Sequence, residues 1–272
     1  MSTLTTTTLD ECRCRLRTGD KLANVARTAG LHWQTLHKLL KQERTPDLQP
    51  PKLRRSVKLV DCYRPCSLSE VRGQTQVTSP LQRFIAEPYS TAMLFEGETG
   101  TGKTSAALAL ARDLGCDVGE EELGGVTNIA SGEQTADNVR DLNRSLRLRP
   151  MYGSGWKVAI INECDRMNPA AETLWLDRLE PESLPAKCVF VFTTNRPEKL
   201  SQRFLDRCDR FAFTSDSATL RPAAIDLLRS IWLAEVEAPL NLPVIEDVVA
   251  QATHEGQLSL RRCVQMFQQR LA

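Results

Sequence analysis

Apolar residues along this chain form short runs separated by polar segments. Runs with the length and composition of buried strands occupy Ala92–Phe95, Val126–Ala130, Lys157–Ile161 and Cys188–Asn195. Segments with helical periodicity lie between these runs, and the periodicity is clearest over Gln134–Leu148. The apolar face of that predicted helix consists of Val139, Leu142 and Leu146. The alternation of strand and helix predicts an α/β fold built on a parallel sheet.

Other helical patterns complete this part of the chain. One helix follows the first strand and runs to Leu114, and another covers Asn168–Leu179, with Asn168 as its N-cap and Pro169 in its first turn. The last part of the sequence has helical patterns without strands, at Ala218–Glu237, Pro243–Thr253 and Leu258–Leu271. We therefore predict an α/β domain at residues 59–215 and a small helical domain at residues 216–272.

A separate all-α domain is predicted at residues 1–44. A helix over residues 9–17 precedes Lys21–Leu40, which resembles the helix-turn-helix of phage-repressor-like DNA-binding domains. Gly30 lies where the tight turn requires a positive φ. Helices of this kind read base edges with their N-terminal residues, so the predicted DNA-facing side chains are Gln34, Thr35, His37 and Lys38. The alternative is a small helical bundle that packs on the rest of the protein or on a partner.

A basic, proline-rich linker is predicted at residues 45–58. Its prolines discourage both helix and central strand. Residues 1–58 contain 12 Lys and Arg and 5 Asp and Glu, a net charge of +7, whereas the remaining residues contain 23 and 29, a net charge of −6. A basic head joined to an acidic body indicates that the head meets a polyanion, and duplex DNA is the partner that the helix-turn-helix pattern suggests.

Composition excludes several classes of protein. Hydrophobic residues make up 41% of the chain and charged residues 25%, as in ordinary globular proteins, and no apolar run is long enough to cross a bilayer. The N-terminus lacks the features of a secretion signal, and nine scattered cysteines fit a reducing cytoplasm. The spacings of Cys12, Cys14, Cys62 and Cys66 match no standard zinc site.

The clearest chemical motif lies between the first strand and its helix. It reads Gly97-Glu98-Thr99-Gly100-Thr101-Gly102-Lys103-Thr104, which fits the phosphate-binding pattern G-x-x-x-x-G-K-[ST]. Glycines let backbone N–H groups turn toward a phosphate, and the following helix N-terminus favours negative charge. Lys103 is expected to reach the β- and γ-phosphates of ATP, and the Thr104 hydroxyl is expected to ligate Mg²⁺.

Several segments resemble one family of P-loop proteins. Tyr63-Arg64-Pro65 and Val71-Arg72-Gly73-Gln74 are similar to the segments that open the small subunits of sliding-clamp loaders, and the similarity continues to residue 272. The resemblance implies an AAA+ ATPase with an αβα parallel sheet and a small helical lid. It also implies that Tyr63 lies beside the adenine. Clamp-loader subunits continue into a collar domain that has no counterpart in this sequence.

The second nucleotide motif departs from the family pattern. P-loop ATPases follow an apolar strand with two acidic residues, whereas this chain has Asn162 and then Glu163. The resemblance makes Glu163 the residue that polarises the attacking water and Asn162 the residue that supports Mg²⁺. An amide brings no charge to the metal, so we expect either slow hydrolysis or compensation by Asp165, and we favour slow hydrolysis.

The resemblance also implies roles for three later residues. Asn195, at the end of a strand, matches the sensor beside the γ-phosphate. Arg207, in Asp206-Arg207-Cys208, matches the arginine that enters the site of a neighbouring subunit, which implies an oligomer of this chain or of related AAA+ subunits. Ser259 occupies the position of the second sensor arginine, so either Arg261 or Arg262 replaces it or this function is lost, and we favour Arg261.

These expectations combine into three functional hypotheses. The favoured one is a cytoplasmic, clamp-loader-like ATPase that acts on duplex DNA in replication or recombination, with a sliding clamp as a candidate partner. The runner-up is a target-selection ATPase of phage-transposon type, whose partner would be a transposase; the absent collar favours it. The third, motivated by Asn162, is an ATP-gated DNA-binding regulator that hydrolyses little ATP.

Overall fold

The computed structural model describes residues 58–118, 124–146 and 148–271. The predicted helix-turn-helix and nearly all of the linker lie outside these ranges. The same holds for the four predicted DNA-facing residues Gln34, Thr35, His37 and Lys38.

A parallel sheet forms the centre of the described body. Its strands lie in the order β2-β3-β4-β1-β5, and every neighbouring pair is parallel. The strands are β1 (Thr91–Glu96), β2 (Val126–Ile129), β3 (Lys157–Ile161), β4 (Cys188–Thr194) and β5 (Asp209–Ala212). The four predicted strands are confirmed, whereas β5 was not predicted. It is short and mostly exposed, so it lacks the apolar run that marks a buried strand.

Helices cover both faces of this sheet. On one face pack α2 (Thr75–Ala86) and α3 (Lys103–Asp113), and on the other pack α4 (Ala136–Ser145), α5 (Pro169–Arg178) and α6 (Gln202–Leu205). Alternate residues of β4 point to opposite faces: Val189 and Val191 belong to the first core, and Phe190 and Phe192 to the second. The predicted three-layer P-loop architecture with a parallel sheet is confirmed.

The predicted apolar faces of the helices lie in these cores. Val139, Leu142 and Leu146 are buried, and Trp175 of α5 contacts Phe190 and Phe192 edge-on. Asn168 caps α5 by accepting a hydrogen bond from the backbone N–H of Ala171 at 2.7 Å. The predicted helix Gln134–Leu148 is longer than the observed α4, because the helical pattern does not show where the caps lie. The observed N-cap is Thr135.

A second, helical layer forms a lid beside the sheet. It contains α7 (Ser217–Glu235), α8 (Leu242–Ala252), α9 (Leu260–Leu271) and the short α1 (Leu59–Cys62), whose Leu59 is fully buried among them. A two-stranded hairpin, β6 (Thr253–His254) with β7 (Gln257–Leu258), joins α8 to α9. The predicted helix over Leu258–Leu271 therefore begins two residues later, because Leu258 pairs with Thr253 in this hairpin.

Short 3-10 turns complete the described elements: Leu68–Glu70, Cys164–Arg166, Pro181–Ser183 and Pro197–Lys199. In the described part of the chain, no helix combines the length and the apolar character that a membrane span needs.

Candidate nucleotide-binding site

The phosphate-binding loop connects β1 to α3, as its sequence predicts. Gly97, Gly100 and Gly102 have positive φ angles of 138°, 80° and 102°. A Cβ at Gly97 would come within 2.4 Å of the carbonyl oxygen of Phe213. Only glycine therefore fits the start of the loop, where β1 ends against the chain that leaves β5.

Lys103 is the most buried charged group of the loop. Only 8% of the residue is exposed, and its Nζ donates hydrogen bonds to the carbonyl oxygens of Gly97 and Glu98 at 2.7 and 2.8 Å and to Asn195 Oδ1 at 2.7 Å. Burial lowers the pKa of Lys103 to about 8, even though nearby carboxylates, led by Glu98, oppose the change. The ammonium group thus has neutral hydrogen-bond partners, and nearby carboxylates compensate its charge only in part. A bound anion such as a phosphate would supply the rest of the compensating charge.

This pKa predicts a pH-dependent affinity for ATP. The free protein loses the Lys103 proton as the pH rises through about 8, whereas phosphates beside Nζ would hold that proton. The dissociation constant should therefore rise above pH 8, by up to about tenfold per pH unit, and binding at pH 8.5 should take up protons. Calorimetry in two buffers of different ionisation enthalpy measures this uptake. Equal apparent enthalpies in both buffers at pH 8.5 would contradict the prediction.

Thr104 and Asn162 meet at the carboxyl end of β3. The Thr104 hydroxyl donates to Asn162 Oδ1 at 2.9 Å, and Asn162 Nδ2 donates to Asn128 Oδ1 at 2.6 Å. The Asn128 contact directs the carbonyl side of the Asn162 amide toward Thr104. Two neutral oxygens therefore face the position where the P-loop pattern expects a metal, and both suit Mg²⁺ or water bound to it.

Glu163 follows Asn162 in a left-handed backbone conformation, with φ 51°. Its Oε2 accepts a hydrogen bond from the Ser131 hydroxyl at 2.5 Å and pairs with Arg166 Nε at 3.2 Å. A non-glycine residue with positive φ is uncommon, and here it turns the chain sharply after the buried strand. The carboxylate is partly exposed, so water can reach it.

Asp165 has a different set of contacts from Glu163. It accepts a hydrogen bond from the Thr194 hydroxyl at 2.8 Å, whereas Asn162 receives the hydroxyl of Thr104. The Asp165 carboxylate is thus engaged by β4. Among the described residues, the hydrogen bond of Asp165 joins it to Thr194 and not to Thr104 or Asn162.

A cavity of about 300 Å³ lies between the phosphate loop and the lid. Tyr63 lines it and donates a hydrogen bond to Glu235 Oε1 of α7 at 3.1 Å. Arg261 lines it beside Gly100, whereas Arg262 lies on a neighbouring pocket with Glu98. The structure thus brings Tyr63 and Arg261 to the same cavity as the loop. The positive charge of Arg261 contributes to the lowered pKa of Lys103.

Arg207 lies away from the phosphate loop of its own chain. It forms an ion pair with Glu180 through Nε and Nη2, and its Nη1 donates to the carbonyl oxygen of Arg203 at 2.8 Å. The side chain is 28% exposed. All three guanidinium nitrogens therefore have a partner within this chain, and Arg207 would have to exchange at least one of these contacts to reach a phosphate elsewhere.

Sequence reasoning missed two residues that organise the site. Gln74 is fully buried, and its Nε2 donates to the carbonyl oxygens of Thr101 and Thr214 at 3.3 and 2.9 Å. It therefore ties the phosphate loop to the chain that enters the lid. Asn128 is the other, through its contact with Asn162. Both occur in segments that resemble clamp loaders, but only the contacts show what they hold.

The described residues contain no group of three or more metal-ligating side chains of His, Cys, Asp or Glu. Cys62 and Cys66 are free and exposed. The other two cysteines considered for zinc, Cys12 and Cys14, lie outside the described residues.

Residues 93–216 match the sequence profile of the ATPase family associated with various cellular activities (AAA). Among curated relatives, replication factor C subunit 3 of Blastobotrys adeninivorans is 33% identical over 69% of this chain and 59% of the relative. The replication factor C small subunit of Staphylothermus marinus is 31% identical over 76% and 59%. DNA polymerase III subunit tau of Bacillus subtilis is 30% identical over 56% and 30%. The chain thus spans less than two thirds of the length of these relatives.

Solved structures show the same fold. The chain superposes on RuvB of Thermotoga maritima, described as a Holliday junction branch migration motor, with a TM-score of 0.55 and 20% identity over 75% of this chain and 64% of the other. A variant of the same protein matches equally well. At this identity the likeness shows the fold alone.

Proposed function

We propose that this chain, an AAA+ family protein that resembles replication factor C small subunits, is an ATPase that works on duplex DNA within an oligomer. ATP is the proposed substrate and Mg²⁺ the proposed cofactor. The observation that carries the proposal is the buried, incompletely compensated Lys103, which donates hydrogen bonds to groups at the carboxyl ends of β1 and β4. Ligands of parallel α/β sheets bind at that end of the strands.

The residues of the site divide the work of phosphoryl transfer. Lys103 and the backbone of Gly97–Thr104 bind the phosphates, Arg261 approaches them from the lid as the second sensor, and Tyr63 contacts the adenine in the same cavity. Thr104 and Asn162 would hold Mg²⁺, which neutralises charge on the phosphates. Glu163 orients and polarises the attacking water, and Asn195, already bonded to Lys103, reports the state of the γ-phosphate.

Arg207 supports the oligomeric part of the proposal. It pairs with Glu180 and donates to the carbonyl oxygen of Arg203, and neither partner belongs to the phosphate loop. An arginine that stabilises transition-state charge must therefore serve the site of another subunit, either a second copy or a related AAA+ protein. The relatives named replication factor C make a sliding clamp the protein partner we propose to test first.

A second candidate is an ATP-gated DNA-binding regulator with little hydrolysis. The contact of Asn162 with both Thr104 and Asn128 favours it, because a neutral amide replaces a carboxylate beside the proposed metal. We propose that hydrolysis is slow for this reason, and that both candidates share the same ATP-binding step.

Restoring the carboxylate tests the role of Asn162. The Asn162→Asp variant should bind Mg²⁺ with ATP roughly fivefold more tightly, because hydrogen bonds to charged groups contribute about 1 kcal/mol more than neutral ones. Titrating Mg²⁺ against the binding of a fluorescent, non-hydrolysable ATP analogue measures this without turnover. Asn128→Asp is the matched control, since it adds the same charge one side chain farther from Thr104. Equal changes of the Mg²⁺ affinity in both variants would mean that the added negative charge acts through the general electrostatic field and not through a contact with the metal.

The proposed action on DNA is tested by removing residues 1–50. The full chain should hydrolyse ATP faster with duplex DNA, and the truncated chain should lose this stimulation and about tenfold or more in DNA affinity, with a shallower salt dependence. Within the head, Lys38→Ala should reduce the salt slope by about 1, whereas Gln34→Ala should leave it unchanged and alter sequence preference. An unchanged salt slope after truncation would make the head a protein-docking domain.

A further inference from the structure

Two exposed cysteines lie at the mouth of the cavity between the phosphate loop and the lid. Cys62, the last residue of α1, and Cys66 both line that cavity, together with the loop residues Gly100–Gly102. The backbone N–H of Cys66 donates to Glu70 Oε2 at 2.7 Å, which holds this thiol's segment at the rim. A group attached to either sulfur would therefore occupy space that a nucleotide needs.

The other described cysteines are protected. Cys116, Cys164, Cys188 and Cys263 are buried, and Cys208 is half-buried. Burial raises the pKa of the Cys116 and Cys263 thiols to about 11 and of the Cys188 and Cys208 thiols to about 12, so few of them are ionised at neutral pH. Because the thiolate is the reactive form and must be reached by the reagent, Cys62 and Cys66 are the reactive pair among the cysteines that the structure describes.

The charge of the cavity favours an anionic adduct. Arg64, Arg72 and Arg261 line it, against Glu70 as the carboxylate among its lining residues. Asp61 pairs with Arg64 and Asp226 with Arg72 through exposed ion pairs, which solvent screens and which an anion in the cavity can replace. Glutathione, a tripeptide with two carboxylates and one ammonium group, carries a net negative charge and is comparable in size to the space available. The same arginines would attract the phosphates of ATP, so the two molecules compete for one region.

We infer that Cys62 and Cys66 form a thiol-modification site at which a small anionic disulfide, such as glutathione disulfide, shuts the cavity to nucleotide. This inference rests on the proposed ATP site. In the reaction, the protein thiolate attacks one sulfur of the disulfide, a protein–glutathione S–S bond forms, and the original S–S bond breaks. The departing glutathione thiolate takes the proton that the protein thiol released. The protein thiol is oxidised and half of the disulfide is reduced, so the exchange needs no other reactant.

The test treats the full chain with glutathione disulfide, with and without saturating ATP and Mg²⁺. Peptide mass spectrometry locates the adducts, and a fluorescent ATP analogue measures nucleotide affinity before and after treatment. We expect adducts at Cys62 and Cys66 at least about tenfold faster than at the buried cysteines, slowing by about tenfold when ATP is present. Modified protein should lose about tenfold or more in ATP affinity and recover it after reduction with dithiothreitol.

Serine variants assign the effect. Cys62→Ser, Cys66→Ser and the double variant are each compared with themselves before and after treatment, so any change in their own affinity cancels. The double variant should show no loss on treatment, even if residues such as Cys12 or Cys14 react. Loss of affinity in the treated double variant would assign the effect to another thiol and overturn the inference.

The outcomes separate this inference from the proposed function. Full ATP affinity in protein that is completely modified at Cys62 and Cys66 overturns the inference and leaves the ATPase proposal intact. An absence of ATP binding in the untreated protein overturns the proposed function. The inference that modification of Cys62 and Cys66 blocks nucleotide binding is then overturned as well. Adduct rates at Cys62 and Cys66 that ATP does not change also count against a shared region.

Discussion

Replacing Arg207 by alanine is expected to lower ATP turnover by about 10³-fold or more while ATP binding is retained, because an arginine of this kind acts on charge that develops in the transition state. Arg207 has no contact with its own phosphate loop; its partners are Glu180 and the carbonyl oxygen of Arg203. Steady-state turnover and the binding of a fluorescent ATP analogue separate the two effects. A parallel loss of binding would place Arg207 in the ground-state site instead.

Mixing variants tests whether Arg207 acts between subunits. Lys103→Ala has a damaged phosphate site but an intact Arg207, and Arg207→Ala has the reverse. A mixture of the two should recover part of the wild-type turnover, since some interfaces then combine a functional Lys103 with a functional Arg207. Arg203→Ala is the matched control: it removes the same charge from the short helix that immediately precedes Arg207 but keeps the backbone carbonyl that Arg207 contacts. No recovery in the mixture would exclude action in trans.

The Glu163→Gln variant is expected to lose ATP turnover by about 10³-fold, within the range typical of a general base, while it binds ATP as tightly as the wild type or more tightly. The change removes one negative charge and keeps the shape of a side chain that Ser131 and Arg166 already hold. Single-turnover hydrolysis measures the chemical step, and equilibrium binding measures the ground state. Wild-type turnover in this variant would remove Glu163 from the mechanism.

Asp165→Asn is the matched control for Glu163→Gln. It removes the same charge two residues later, from a carboxylate that accepts the Thr194 hydroxyl. We expect a much smaller loss, because an amide oxygen can still accept that hydrogen bond. If Asp165→Asn is the more damaging change, then Asp165 supplies the charge that Asn162 lacks, and the proposed slow hydrolysis would need a different explanation.

Parts of the fold with strong local patterns were predictable. The phosphate loop needs a defined order of glycines, lysine and threonine, so the pattern marks it without tertiary information. The buried strands β1, β3 and β4 are continuous apolar runs, and the capping of α5 by Asn168 is a short-range effect. Strand β5 escaped prediction because it is short, mostly exposed and paired with the distant β1, and the β6–β7 hairpin escaped because each of its strands has only two residues.

The sequence by itself determined the phosphate loop, the α/β class of the body and the order of its motifs, because each depends on residues close together in the chain. Only the tertiary structure decided which side chains meet. It joined Lys103 to Asn195 across 92 positions and Thr104 to Asn162 across 58, and it distinguished Arg261 from Arg262 at the cavity. It also buried Lys103 enough to lower the pKa of its ammonium group. Desolvation and hydrogen bonding act through space, so neighbouring residues in the sequence do not reveal them.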